Sequence, residues 1–148
     1  MIRILIADDH DVVRFGLRQI LQRPDWEIVG EASDGRDAVT KSIETKPDVA
    51  IIDYSLPRLN GLEATRQIRE RVPKTEILIF TMYDAEEMIL SACQAGARGF
   101  ILKSDDELQI VEVIKVITRH EPSVATATRS LGEKFFRPPR TDSEISDL

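Results

Sequence analysis

A chain of 148 residues, 42% apolar and 31% charged, suffices for one globular domain with some length to spare. Its net charge of −6 argues against a broad basic surface that grips nucleic acid, and its single cysteine, Cys93, rules out a disulfide framework and suits a reducing compartment. No run approaches the roughly 18 apolar residues of a membrane span, and Met1-Ile2-Arg3 leads into an apolar run with no signal-peptide pattern, so a cytoplasmic protein without membrane contact is expected.

Residues 2–7 are short, β-branched and apolar, which predicts a buried strand. Asp8-Asp9-His10-Asp11 follows, and Val13, Leu17, Ile20 and Leu21 then recur at helical spacing until Pro24. Residues 26–31 read as a second strand. Asp34 is placed to cap a helix carrying Val39 and Ile43, which Pro47 ends. The third strand is 49–53. Asn60 and Glu63 have capping-box spacing for a helix through Leu62, Ile68 and Val72, up to Pro73.

Residues 77–81 predict a fourth strand. Asp84 and Glu87 repeat the capping-box spacing for a helix that closes at Gly96. Residues 100–103 form the fifth strand, and Ser104 and Glu107 are set to cap the last helix. Ile110, Val113, Ile114 and Ile117 share one face of that helix. Leu108 and Val111 widen the stripe, which suggests a self-association face.

Five strand–helix pairs in strict alternation predict a parallel sheet covered by helices on both faces. The chain is too short for an eightfold barrel, leaving an open doubly wound α/β sheet of flavodoxin-like order 2-1-3-4-5. The domain is expected over residues 1–120. Residues 121–148 carry Pro122, Pro138 and Pro139, with only Val124, Leu131, Phe135 and Phe136 as apolar anchors. They predict a linker or tail with room for one short helix.

The chemistry centres on Asp53, a lone acid closing an apolar strand ahead of a loop punctuated by Pro57 and Gly61. Buried aspartate is costly unless paired or metal-bound, and open α/β sheets hold ligands at the C-terminal ends of their strands. Right-handed crossovers bring Asp8, Asp9, Asp53, Thr81 and Lys103 to that edge. Three carboxylates repel one another. Lys103 can offset one charge and a divalent ion the rest, with oxygen ligands favouring Mg²⁺. Such a group suits phosphoryl transfer to Asp53, giving an acyl phosphate to which Thr81 donates a hydrogen bond. His10 lacks a second histidine at ligand spacing and reads as a neighbour of this pocket. Cys93 reads as a small helix residue, since Cys93 to Arg98 has four intervening residues rather than the five of a thiolate phosphatase loop.

The ordered set Ile4-Leu5-Ile6-Ala7-Asp8-Asp9-His10, Asp53 with Pro57 and Gly61, Thr81-Met82, Ala95-Gly96-Ala97 and Gly99-Phe100-Ile101-Leu102-Lys103-Ser104 resembles the receiver domain of two-component response regulators. The likeness is strongest to the NarL/FixJ (LuxR-type) subfamily and runs over roughly residues 1–120. It implies a CheY-like fold and a signalling switch rather than a classical enzyme. Asp53 would be the phosphoacceptor, assisting its own phosphorylation by a sensor histidine kinase. Asp9 would bind Mg²⁺ directly, Asp8 through water, and the Ser55 backbone carbonyl would add a ligand. Thr81 and Lys103 would hold the phosphoryl group, and Phe100 would be the aromatic switch. Ser55 and Tyr83 would tune the acyl-phosphate lifetime. Ser104 stands where many receivers have a cis-proline. Phosphorylation would alter homodimerisation and control a C-terminal helix-turn-helix that binds DNA in transcription regulation. No basic helical pair follows residue 120, so a truncated chain is expected in preference to a single-domain regulator. The competing readings are a haloacid-dehalogenase-type phosphatase, for which Ser55 replaces the required second acid, and a receiver-like interaction module not controlled by phosphorylation.

Overall fold

Each strand of the sheet feeds two cores, because successive side chains of a strand point to opposite faces. A computed structural model describes residues 1–83, 85–104, 107–121 and 123–124. The elements are β1 (Ile2–Ala7), α1 (Asp11–Ile20), β2 (Trp26–Ala32), α2 (Gly35–Thr45), β3 (Val49–Asp53), α3 (Gly61–Arg71), β4 (Glu76–Thr81), α4 (Glu86–Ala95), β5 (Gly99–Leu102), α5 (Glu107–Ile117) and β6 (Ser123–Val124). Leu5, Ala50, Ile52, Ile77, Ile79 and Phe100 face Ala38, Ala64, Ile68, Ile89 and Ala92 of α2, α3 and α4. Ile4, Ile6, Ile51, Leu78 and Ile101 face Leu17 of α1 and Ile110, Val113, Ile114 and Ile117 of α5. Burying each such large side chain contributes about 1.5–3 kcal/mol.

All strand pairs are parallel, in the order β2-β1-β3-β4-β5-β6. The first five positions are the expected 2-1-3-4-5. The sixth strand is new: Ser123 and Val124 pair with Gly99 and Phe100, so the sheet runs past residue 120. Two residues are too few to show periodicity, which is why the sequence gives no sign of them. The remaining anchors named in the tail, Leu131, Phe135 and Phe136, lie outside the described residues, as do Pro122, Pro138 and Pro139. Among the described residues no helix is long and apolar enough to cross a membrane.

Asp34 caps α2 by accepting from the Asp37 N–H at 2.8 Å, and Asn60 caps α3 from the Glu63 N–H at 2.9 Å. The Glu63 carboxylate turns to Arg66 at 3.1 Å. At α4 the expected cap is displaced: the N-cap is Ala85, without a side-chain hydrogen bond, and Asp84 is outside the described residues. Gly96 ends that helix at φ 104°, and the Ala97 N–H returns to the Ala92 carbonyl at 3.0 Å in a Schellman pattern. α5 begins at Glu107, three residues after Ser104, with 105–106 between them not described. Val111 is buried within the domain rather than widening an outer stripe, whereas Leu108 is exposed. The expected self-association face is therefore narrower than its sequence suggested.

At the end of the sheet opposite the candidate site, Glu76 opens β4 with its carboxylate buried. Arg69 and His120 each approach it at 3.2 Å, and Arg98 completes the cluster.

The loop after β3 is held by close backbone approach. The Gly61 N–H donates to the Tyr54 carbonyl at 3.0 Å, and a Cβ at Gly61 would lie 2.2 Å from the Asp53 carbonyl oxygen. Since that neighbour is backbone, Gly61→Ala must displace the β3–α3 loop. The expected loss is about 1–3 kcal/mol, the range for overpacking, measurable by urea unfolding. Wild-type stability in this variant would show that the loop yields freely.

Candidate functional site

Parallel pairing in register brings the C-terminal ends of β1, β3, β4 and β5 side by side. Asp8 and Asp53, at the ends of β1 and β3, are 1% and 4% exposed, so both carboxylates sit within the fold. Lys103, just past β5, reaches between them. Its Nζ is 2.8 Å from Asp8 Oδ2 and 3.3 Å from Asp53 Oδ2. The centre of the Phe80 ring lies 5.8 Å from the same ammonium. Asp9 stands at the rim, half-exposed, beside His10, whose Nδ1 is 3.1 Å from Asp8 Oδ1 and 3.2 Å from Asp9 Oδ1.

Burial is the chief cause raising the Asp53 pKa above its ordinary 3.8, and the Asp8 charge adds to it. The Ser55 N–H, 3.2 Å from Asp53 Oδ1, and the Lys103 charge offset part of that rise. For Lys103, burial pulls the pKa down, but hydrogen bonding and charge from Asp8 and Asp53 outweigh it and the net shift is upward. The lysine is therefore a fixed positive charge. Three carboxylates against one ammonium leave the pocket negative, with the buried Asp8 Oδ2 held by the Lys103 ammonium at 2.8 Å. One ligand atom from each of Asp8, Asp9, His10 and Asp53 lies within 4.8 Å of the others. This donor set fits a divalent cation.

Thr81 is buried at the end of β4. Its carbonyl accepts the Lys103 N–H at 2.7 Å, and its Oγ1 accepts the Tyr83 N–H at 3.4 Å. The strand pairing thus sets threonine beside lysine. Ser55 and Tyr83 are exposed beside the pocket, and Phe100 is fully buried against the α4 side of the sheet. Among the described residues every peptide is trans, Lys103–Ser104 included. Cys93 is half-buried on α4, and burial pushes its thiol pKa up, the reverse of a reactive thiolate.

Two supporting residues escaped the sequence reading. Arg14 Nη1 donates to the Asp8 carbonyl at 2.6 Å and its Nε lies 3.4 Å from Glu31, which fixes the turn that carries Asp8-Asp9. Phe80 reads in sequence only as core. A helix position facing back toward the pocket is the one signal that could have pointed to Arg14.

A family model described as the response regulator receiver domain matches residues 4–115. The chain is 42% identical over 147 residues to the oxygen regulatory protein NreC of Staphylococcus epidermidis, covering 97% of this chain and 67% of that protein. It thus spans about two thirds of the length of that relative. A two-component response regulator of the LuxR family from Aurantimonas sp. SI85-9A1 superposes with a TM-score of 0.81 at 34% identity, over 100% of this chain and 99% of that one. The signal receiver domain of NarL from Mycobacterium tuberculosis gives 0.77 at 30% identity, over 80% and 96%. With the parallel sheet and the acid–lysine pocket already in view, these likenesses have one meaning: the chain belongs to the response regulator receiver family, in its NarL/LuxR-type branch.

Proposed function

We propose that Asp53 accepts a phosphoryl group from the phosphohistidine of a sensor histidine kinase and that the acyl phosphate sets the signalling state of the protein. The observation that carries this reading is a buried strand-end carboxylate 3.3 Å from a buried lysine ammonium, in a pocket whose other acids can seat a divalent ion. An Asp53 oxygen forms the new P–O bond as the donor P–N bond breaks, and the electron pair leaves with the imidazole. Lys103 holds a phosphoryl oxygen by charge, and the Thr81 hydroxyl donates to another. Asp8, Asp9, Asp53 and the Ser55 carbonyl would hold Mg²⁺, which supplies charge neutralisation on the transferring oxygens. Within this proposal the chain catalyses only its own modification.

Thr81 moving toward the phosphate shifts a pre-existing equilibrium that includes the Phe100 ring, here already inward and buried. The α4–β5–α5 face then changes its contacts, favouring a homodimer and releasing or engaging a DNA-binding output domain beyond the receiver. Ser55 and Tyr83, exposed at the pocket mouth, set how readily water reaches the acyl phosphate. The proposed compartment is the cytoplasm, where Mg²⁺, a kinase donor and a reduced Cys93 coexist.

Beryllofluoride with Mg²⁺ tests the proposal. Amide NMR signals of Asp53, Thr81, Tyr83 and β5 are expected to shift, with a rise in dimer content by light scattering. Unchanged spectra and unchanged mass would instead favour an interaction module that phosphate does not control.

A further inference from the structure

Asp8 and Asp9 share one turn but are held by different means. The buried Asp8 carboxylate accepts the His10 N–H at 2.9 Å and meets the Lys103 ammonium at 2.8 Å. Asp9 stands at the rim, and the partner of its carboxylate, His10 at 3.2 Å, is itself exposed. The aim of Asp9 therefore depends on the backbone that carries it, and Arg14 grips that backbone. Arg14 Nη1 donates to the Asp8 carbonyl at 2.6 Å. Because a peptide is planar, a donor on that carbonyl also fixes the Asp9 nitrogen and Cα. The guanidinium is 16% exposed and is held on two further sides, by Asp11 and by Glu31, whose carboxylate lies 3.4 Å from Arg14 Nε. Glu31 belongs to β2 and Arg14 to α1, so the turn is referenced to both elements.

We propose that Arg14 is a positioning residue for the cation seat: by fixing the Asp8–Asp9 peptide it keeps the Asp9 carboxylate beside those of Asp8 and Asp53, and so sets how little Mg²⁺ suffices for phosphoryl uptake. The inference rests on the signalling reading of the pocket and adds to it a residue that touches neither the metal nor the phosphoryl group. Two effects of removing Arg14 have opposite signs. Arg14 is a cation near a cation seat, so by charge alone its loss strengthens Mg²⁺ binding. By loss of position it weakens binding, because one of three carboxylates is no longer held in place. The direction of the change therefore decides between them. The fold should tolerate the loss, since Glu31 keeps Arg18 at 2.6 Å and Asp11 is 92% exposed.

Wild type, Arg14→Met and Arg14→Lys are titrated with Mg²⁺ by calorimetry. Methionine keeps most of the apolar stem without charge or donors, whereas lysine keeps the charge and replaces the fork by a compact head that meets fewer of the three partners. Mg²⁺ affinity should fall about tenfold or more in Arg14→Met, the usual cost of losing a group that orients a metal ligand. Arg14→Lys should lie between Arg14→Met and wild type. In chelator, the amide NMR signals of Asp9 and His10 should shift or broaden in Arg14→Met, with those of Asp53, Thr81 and Lys103 close to wild type. In acetyl phosphate labelling, the Mg²⁺ concentration for half-maximal rate should rise by the same factor as the calorimetric constant, with the plateau rate changing far less.

Equal or tighter Mg²⁺ binding in Arg14→Met overturns the inference, since charge then outweighs position. Perturbation that reaches Asp53 and Lys103 as strongly as Asp9 also overturns it, because Arg14 would then be a general support of the fold. Should Arg14→Met fail to fold, Arg14→Lys decides alone: its charge is that of wild type, so unchanged affinity rejects the positioning role and weakened affinity upholds it. Labelling of the wild-type chain separates this inference from the reading beneath it. Absent labelling at saturating Mg²⁺ removes the signalling proposal, while the calorimetric difference between wild type and variants still reports on the seat.

Discussion

Asp53→Asn is expected to abolish phosphoryl uptake. With acetyl phosphate and Mg²⁺, intact mass spectrometry should show one added phosphoryl group on the wild-type chain and none on D53N. The amide removes the nucleophilic oxygen and one of three metal-facing charges while nearly preserving shape, so the fold persists. A persisting mass gain in D53N would move the acceptor to another residue.

The same substitution should raise the stability of the metal-free protein. The Asp53 pKa is raised in the fold by burial and by the Asp8 charge, so the native state holds this proton to higher pH than the unfolded chain does. Stability therefore falls as pH rises from the ordinary carboxylate value through the folded pKa, and the whole penalty is present above that window. Asparagine removes it. At pH 7 in chelator, Tm should rise by a few degrees, the response of a domain this size to about 1 kcal/mol. The gain should shrink as pH falls toward and below 3.8, where Asp53 is protonated in the fold and becomes so in the unfolded chain as well. Added Mg²⁺ should reverse the ranking, because only wild type keeps all three carboxylates. A wild-type Tm equal to or above that of D53N in chelator would contradict the repulsion.

Lys103→Ala has the second largest expected effect, and it strikes both stability and rate. Among the described residues the lysine is the one side chain within ion-pair distance of both Asp8 and Asp53, at 2.8 and 3.3 Å. Its removal leaves two buried carboxylates facing each other. Loss of one member of a buried ionic group costs about 3–5 kcal/mol, and Mg²⁺ should recover much of it by replacing the missing charge. Urea unfolding with and without Mg²⁺ measures this. Acetyl phosphate labelling should slow by about 10²–10³, the usual cost of removing a preorganised electrostatic donor. Wild-type stability in chelator would mean that the carboxylates do not depend on Lys103.

The strands were legible because their apolar runs serve two cores. Ile4 and Ile6 pack on one face and Leu5 and Ala7 on the other, so hardly a polar residue interrupts β1. The edges were less legible. β4 begins at Glu76 rather than Ile77, since a buried carboxylate matched by Arg69 and Arg98 looks in sequence like the loop before a strand. Asp34 and Asn60 cap as their spacing predicts. Ala85 caps α4 without a side-chain bond, and nothing in the sequence marks it for that position. The acid–lysine set was readable because each member closes an apolar run. The inward aim of His10 and the grip of Arg14 depend on tertiary geometry that no spacing encodes.

Beyond Ile117 the chain is fastened twice before it leaves the described domain. His120 lies against Glu76 at 3.2 Å, and Val124 stands opposite Phe100 in the β5–β6 ladder. Whatever is joined after Val124 thus starts from a fixed origin on the outer edge of the sheet, one strand away from the lysine that reads the pocket. A displacement of β5 by a fraction of an ångström would be handed on as a change of heading there, much as a small turn at a tiller swings the far end of a boat.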